Sequence, residues 1–85
     1  MGLVLLYKRG GSGGLGYLDE YAVAAANQQV FDLTRISYTP GTGNLSVYVN
    51  GQLAYRDLDY IETSPTQVQF VEPLPAGAEV LFRVS

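Results

Sequence analysis

The chain has 85 residues, 47% apolar and 15% charged, with eight acids against five bases and neither cysteine nor histidine. Without those two residue types, disulfides, thiolate nucleophiles, the usual transition-metal sites and the commonest neutral-pH proton carrier are excluded. The net charge is −3 and Lys8, Arg9, Arg35, Arg56 and Arg83 are scattered, so no concentrated positive patch is on offer to phosphates and nucleic acid is not an expected partner.

A chain of this length makes one small domain whose own core gives only modest stability. Its charged fraction is well below the ~25% typical of globular proteins, too few charges to wet the whole surface of a monomer. No run approaches the ~18 to 20 apolar residues of a membrane span. The opening MGLVLLYKRG places its cations after the apolar run, the reverse of a secretory signal. A soluble, non-secreted protein with no membrane partner is expected.

In chain order, residues 1–16 form an N-terminal glycine-rich arm. Leu3, Val4, Leu5, Leu6 and Tyr7 make an apolar tip, followed by two cations and a run dominated by glycine. Such a run behaves as a flexible linker, so the tip can dock away from its own domain. An edge strand followed by a loose loop fits the same residues equally well.

Residues 17–85 make the domain. YLDEYAVAAANQQ, from Tyr17 to Gln29, contains good helix formers but also the alternation Tyr21, Val23, Ala25. Its neighbours favour a strand over Tyr21–Ala25, joined through Asn27-Gln28 to a second over Val30–Leu33, with a short helix as the alternative. Pro40-Gly41 and Gly43-Asn44 mark a tight loop. LSVYVNGQLAY, Leu45–Tyr55, then reads as a β-hairpin about a two-residue type I′ turn, since Asn50 and Gly51 both accept positive φ. That loop sets the register: Val49 faces Gln52, Tyr48 faces Leu53, Val47 faces Ala54, and Ser46 faces Tyr55. One face carries Val47, Val49 and Ala54, the other Tyr48, Leu53 and Tyr55. Both are apolar, and the sequence leaves open which of them is the core. The other needs a second layer, another subunit or a larger surface.

Further strands are expected over Tyr60–Thr63, Gln67–Val71 and Glu79–Val84. Pro73, Pro75 and Gly77 exclude regular structure from Glu72 to Ala78. The expected fold is all-β, a small antiparallel β-sandwich or barrel of about seven short strands with an extended N-terminal arm.

Little here carries chemistry. Gly11, Gly13 and Gly16 spell G-x-G-x-x-G, but that loop binds dinucleotides only inside a parallel βαβ unit, which the remaining chain cannot supply. Asp57, Asp59 and Glu62 offer three carboxylates without the spacing or glycine of an EF-hand loop; a solvated connection, its turn held by Asp57 or Asp59, is the simpler reading. No nucleophile elbow, phosphate loop or singled-out acid pair is present, so no catalytic residue, cofactor or metal is assigned. The seven tyrosines combine apolar area with a hydroxyl at low entropic cost, as interfaces do. A protein interface and, with less weight, a carbohydrate platform built on Tyr48, Leu53 and Tyr55 both use such a surface.

VFDL, YTPGTGNLSVYVNG, DYIETSPTQVQF and LPAGAEVLFRV, which span Val30–Val84, resemble a β-rich module of tailed-bacteriophage virion proteins, found in tail fibres and small capsid-associated proteins. Ala78 stands where that pattern has an acid. The resemblance implies a non-enzymatic building block, often a trimer. Standing almost alone behind a glycine-rich arm, the module looks more like a capsid decoration (cement) protein than a fibre segment. The implied partners are further copies of itself and the phage major capsid protein or another virion protein, and the implied location is the virion. The expected interaction residues are Leu3, Val4, Leu5, Leu6 and Tyr7 of the arm with Tyr48, Leu53 and Tyr55 of the hairpin. A tail or fibre-attachment protein and a receptor- or glycan-binding module are the alternatives.

Overall fold

The computed structural model describes residues 18–85. The arm, with Leu3 to Tyr7 and the Gly11-Gly13-Gly16 pattern, lies outside the described residues.

Seven strands form: β1 (Leu18–Val23), β2 (Gln28–Asp32), β3 (Leu45–Val49), β4 (Gln52–Ala54), β5 (Tyr60–Ser64), β6 (Gln67–Leu74) and β7 (Glu79–Val84). They build two antiparallel sheets, a four-stranded one in the order β1-β7-β3-β4 and a three-stranded one in the order β2-β6-β5. No helix forms among the described residues. The alternation in the Tyr21 segment therefore wins over its helix formers. Glu20 points to the inner side and Tyr21 is only half-buried, and β1 gains a full ladder against β7, from Leu18 opposite Val84 to Val23 opposite Glu79. The strand begins three residues earlier than expected and stops before Ala24. A turn with Asn27 at φ 62° then carries the chain into the other sheet.

The hairpin register is as expected for three pairs, Val49 with Gln52, Tyr48 with Leu53 and Val47 with Ala54. Asn50 at φ 50° and Gly51 at φ 84° supply the turn, whose twist matches that of its strands. The fourth expected pair, Ser46 with Tyr55, does not form, because β4 ends at Ala54. The backbone N–H of Tyr55 donates instead to Asp59 Oδ2 at 2.8 Å. Its carbonyl accepts the N–H groups of Leu58 and Asp59, so a tight turn captures Tyr55 before the ladder can. Strand β6 runs on through Pro73 to Leu74, where sequence alone excludes regular structure. Its ladder with β5 ends at the Phe70–Tyr60 pair while Leu74 still lies opposite Gln28 of β2. Pro73 thus sits where β6 behaves as an edge, and its missing N–H is tolerated there.

The core lies between the sheets. Val47, Val80 and Phe82 come from the four-stranded sheet and Phe31, Tyr60, Val68 and Phe70 from the other. The Phe31 ring bridges the layers, edge-on to Phe70 at 5.5 Å between centroids and tilted against Phe82 at 5.8 Å. Fully burying each of these side chains is worth about 1.5–3 kcal/mol.

One end of the sandwich is closed by the β2–β3 connection, which buries Leu33, Ile36 and Tyr38. Two carboxylates inside the molecule fix it. Glu20, only 7% exposed on the inner side of β1, accepts the backbone N–H groups of Thr34 (3.0 Å to each oxygen), Arg35 (2.8 Å) and Ile36 (3.3 Å), and the Thr34 hydroxyl. Glu62 on β5 accepts the N–H of Gly41 at 2.7 Å and lies 3.7 Å from the Arg56 guanidinium. The Tyr38 hydroxyl donates to the Gln67 carbonyl at 2.7 Å; burial, then the charge of Glu62, pushes its pKa up to about 12.

Candidate assembly face

The side of the four-stranded sheet turned away from the core is decided by register. Residues directly opposite in neighbouring strands share a face, so placing Val47 and Phe82 inside puts Tyr48 and Leu81 outside. Tyr21 lies opposite Leu81, Leu81 opposite Tyr48, and Tyr48 opposite Leu53. The result is an unbroken apolar row, Tyr21–Leu81–Tyr48–Leu53, crossing all four strands. With neighbouring strands about 4.8 Å apart, it is roughly 14 Å long. Leu53 at the short edge strand β4 is 49% exposed.

Polar residues flank the row on both sides. Asp19, Arg83 and Ser46 make the adjacent cross-strand set, in which Arg83 grips Asp19 through two hydrogen bonds of 2.8 and 2.9 Å. On the other side Glu79 lies opposite Val23, and its backbone N–H donates to Asn50 Oδ1 at 2.9 Å. Between these rims Tyr21, Tyr48, Leu81, Asn50, Gly51 and Glu79 enclose a concavity of about 300 Å³, at the small end of the range for ligand pockets. The Tyr21 hydroxyl is pushed above the usual tyrosine range, first by burial, then by the charge of Glu79 and a hydrogen bond to it.

A second concavity, also about 300 Å³, opens where β4 fails to cover the sandwich and is lined by Val49, Leu53, Ala54, Leu58, Phe70 and Leu74, with Asp59 and Glu72 among its polar members. Leu58 is 70% exposed and Tyr55 58%. Large apolar side chains therefore collect around β4, from the end of the cross-strand row to the open mouth of the sandwich.

Of the expected interaction residues in the domain, the structure brings Tyr48 and Leu53 together as a direct cross-strand pair. Tyr55 is exposed but lies beyond the ladder. Tyr21, Leu81 and Leu58 were missed. The first two carry a signal, since each alternates with inward residues of its strand, but only the β1-β7-β3 order shows that they extend the hairpin's row. Asp57, Asp59 and Glu62 do not converge: Asp59 holds the Tyr55 turn, Glu62 binds Gly41, and Asp57 sits 3.7 Å from Arg56 at φ 68°. Among the described residues no group of three acids has the geometry to hold a metal ion.

The arrangement defines a class in physical terms, an all-β two-sheet domain with an apolar row on the side of one sheet turned away from the core. A scan of protein-family models and searches of curated proteins and of solved structures find no match to this chain.

Proposed function

We propose that the protein acts by binding alone, as a small structural protein of a tailed-bacteriophage virion. It decorates the head as a homo-oligomer, a trimer, and contacts the major capsid protein or another virion protein. The observation that carries the assembly part is the row Tyr21–Leu81–Tyr48–Leu53. It is a large apolar feature on a face that the second sheet leaves uncovered, which suits a surface made to be covered by something else. The virion part rests on the resemblance of Val30–Val84 to the phage module. Many copies, each burying this surface at a junction of the shell, would raise the cost of disassembly by mass action.

The test is to produce particles in cells making a tagged form of the chain, band them in a density gradient and identify the fractions that hold it. The proposal expects the tag with intact heads, in fixed stoichiometry. Tag confined to tail fractions would favour the fibre-attachment role, and tag absent from every particle fraction would end the virion reading.

A further inference from the structure

Asn50 is followed by glycine, whereas Asn27 precedes Gln28 and Asn44 precedes Leu45. The pair that suits a type I′ turn is also chemically reactive. Glycine carries no side chain to shield its nitrogen, so the Gly51 nitrogen can attack the side-chain amide of Asn50. A bond forms between Gly51 N and Asn50 Cγ, the bond from Cγ to the side-chain nitrogen breaks, and ammonia leaves with the proton that Gly51 N gives up. Water then opens the cyclic imide at either carbonyl carbon. One opening leaves aspartate, and the other leaves isoaspartate, with the main chain rerouted through the former side chain.

The folded hairpin withholds the geometry of that attack. Ring closure brings Gly51 N round the Cα–C bond of Asn50 to the same side as Cβ. Asn50 sits at φ 50° and Gly51 at φ 84°, and ψ at the first central position of a type I′ turn is about 30°, which turns the nitrogen to the opposite side. Strand β7 holds both ends of the residue as well. The Asn50 N–H donates to the Glu79 carbonyl at 2.7 Å, and Asn50 Oδ1 accepts the Glu79 N–H at 2.9 Å. Reaching the reactive geometry therefore breaks the bond at Oδ1 and undoes the turn. Solvent is no obstacle: Asn50 and Gly51 are both exposed, and no atom lies within 4 Å of where a side chain on Gly51 would begin. Conformation is the barrier.

We propose that Asn50-Gly51 is a deamidation site gated by its clamp on Glu79, intact while the tip of the β3–β4 hairpin is held against β7 and converted when that tip opens. Conversion is irreversible and strikes the register. Isoaspartate adds a methylene to the main chain inside a two-residue loop, and that loop is what sets Tyr48 opposite Leu53. Aspartate keeps an acceptor for the Glu79 N–H but adds a negative charge to the concavity that Asn50 and Glu79 both line. An isoaspartyl chain would lose the Tyr48–Leu53 part of the outer row and with it the adhesion of that face. In that consequence the proposal rests on the assembly reading; the chemistry and its test do not, so the two fail separately.

The experiment holds the full chain at mildly alkaline pH, folded in buffer and unfolded in guanidinium chloride, and follows its peptides by mass spectrometry. Deamidation is read as a gain of about one dalton, with isoaspartate counted separately. Amide exchange on the folded chain gives the protection of the Glu79 N–H. Conversion is expected at Asn50 ahead of Asn27 and Asn44, and roughly tenfold or more faster in the unfolded chain. Folding should slow it at least as much as it protects the Glu79 amide, because ring closure breaks that bond and the turn together. Gly51→Ala, compared in guanidinium chloride where the turn plays no part, should slow the reaction roughly tenfold, since a methyl group then shields the nitrogen. A folded chain that converts as fast as the unfolded one would overturn the proposal. So would earlier reaction at Asn27 or Asn44, an unfolded Gly51→Ala chain as reactive as the wild type, or a slowing smaller than the Glu79 protection.

Discussion

Replacing Glu20 by alanine should cost more stability than any exposed change in the molecule, because among the described residues this one carboxylate accepts three consecutive backbone N–H groups, those of Thr34, Arg35 and Ile36. A hydrogen bond to a charged group contributes about 1.5–3 kcal/mol, and a buried donor left unpaired costs about 1–3 kcal/mol. The Arg35 contact at 2.8 Å is the shortest and the Ile36 contact at 3.3 Å is long. Thr34 and Arg35 are themselves exposed, so water can recover part of the loss. We expect Glu20→Ala to lower the unfolding free energy by about 3–5 kcal/mol, a large share of the ~5–15 kcal/mol that a small domain has. Glu20→Gln, which keeps one carbonyl oxygen but turns an amide toward the same donors, should cost about 2 kcal/mol. Urea unfolding with both variants measures these losses, and amide exchange at Thr34–Ile36 locates them. A loss below about 1 kcal/mol in Glu20→Ala, with protection at those amides unchanged, would refute the reasoning.

Other expectations follow from the same structure. Tyr38, with its pKa raised to about 12 against 10.0 unperturbed, contributes stability that is fully present below pH 10. Above that, the unfolded chain loses its proton first, so stability should fall by about 2–3 kcal/mol between pH 10 and 12; Tyr38→Phe should flatten this part of the urea-midpoint profile, and an unchanged slope would sink the assignment. Gly51→Ala forces a side chain into φ 84°, which should cost about 1–2 kcal/mol and lower the melting temperature by several degrees; an unshifted melt would mean that the turn relaxes freely. Removing residues 1–16 should leave a protein with the circular dichroism of a folded β domain that no longer binds particles, and wild-type occupancy by the shortened chain would remove the arm from the account.

How far the fold can be read from sequence depends on where each constraint originates. The hairpin was legible because Asn50-Gly51 is a local instruction, and a two-residue loop leaves the Tyr48–Leu53 pairing little choice. Which of the hairpin's two apolar faces is inside was not, because that depends on Phe31, Val68 and Phe70 arriving from strands of the other sheet. A turn held by Asp59 was legible in the sequence; what was not is that it starts as early as Tyr55, where the Asp59 carboxylate outcompetes the Ser46–Tyr55 ladder pair that alternation alone favours. Glu20 was invisible as a structural centre: its partners lie 14 to 16 residues further on, and nothing local separates a carboxylate that gathers a loop from one that faces water. The outer row was half legible. Tyr48 and Leu53 belong to one hairpin, whereas Tyr21 and Leu81 join them only through the β1-β7-β3 order, the long-range part of the topology.

The central claim is that the outer row is a binding surface with no structural task of its own. It is tested most directly by the double variant Tyr48→Ser with Leu53→Ser, assayed for occupancy on purified particles and for unfolding free energy in the same preparation. Losing two apolar contacts of this kind should remove about 3 kcal/mol of binding, over a hundredfold in affinity, while the domain stays folded, since the core lies on the opposite face. A variant that folds normally and still occupies particles at the wild-type level would contradict the account.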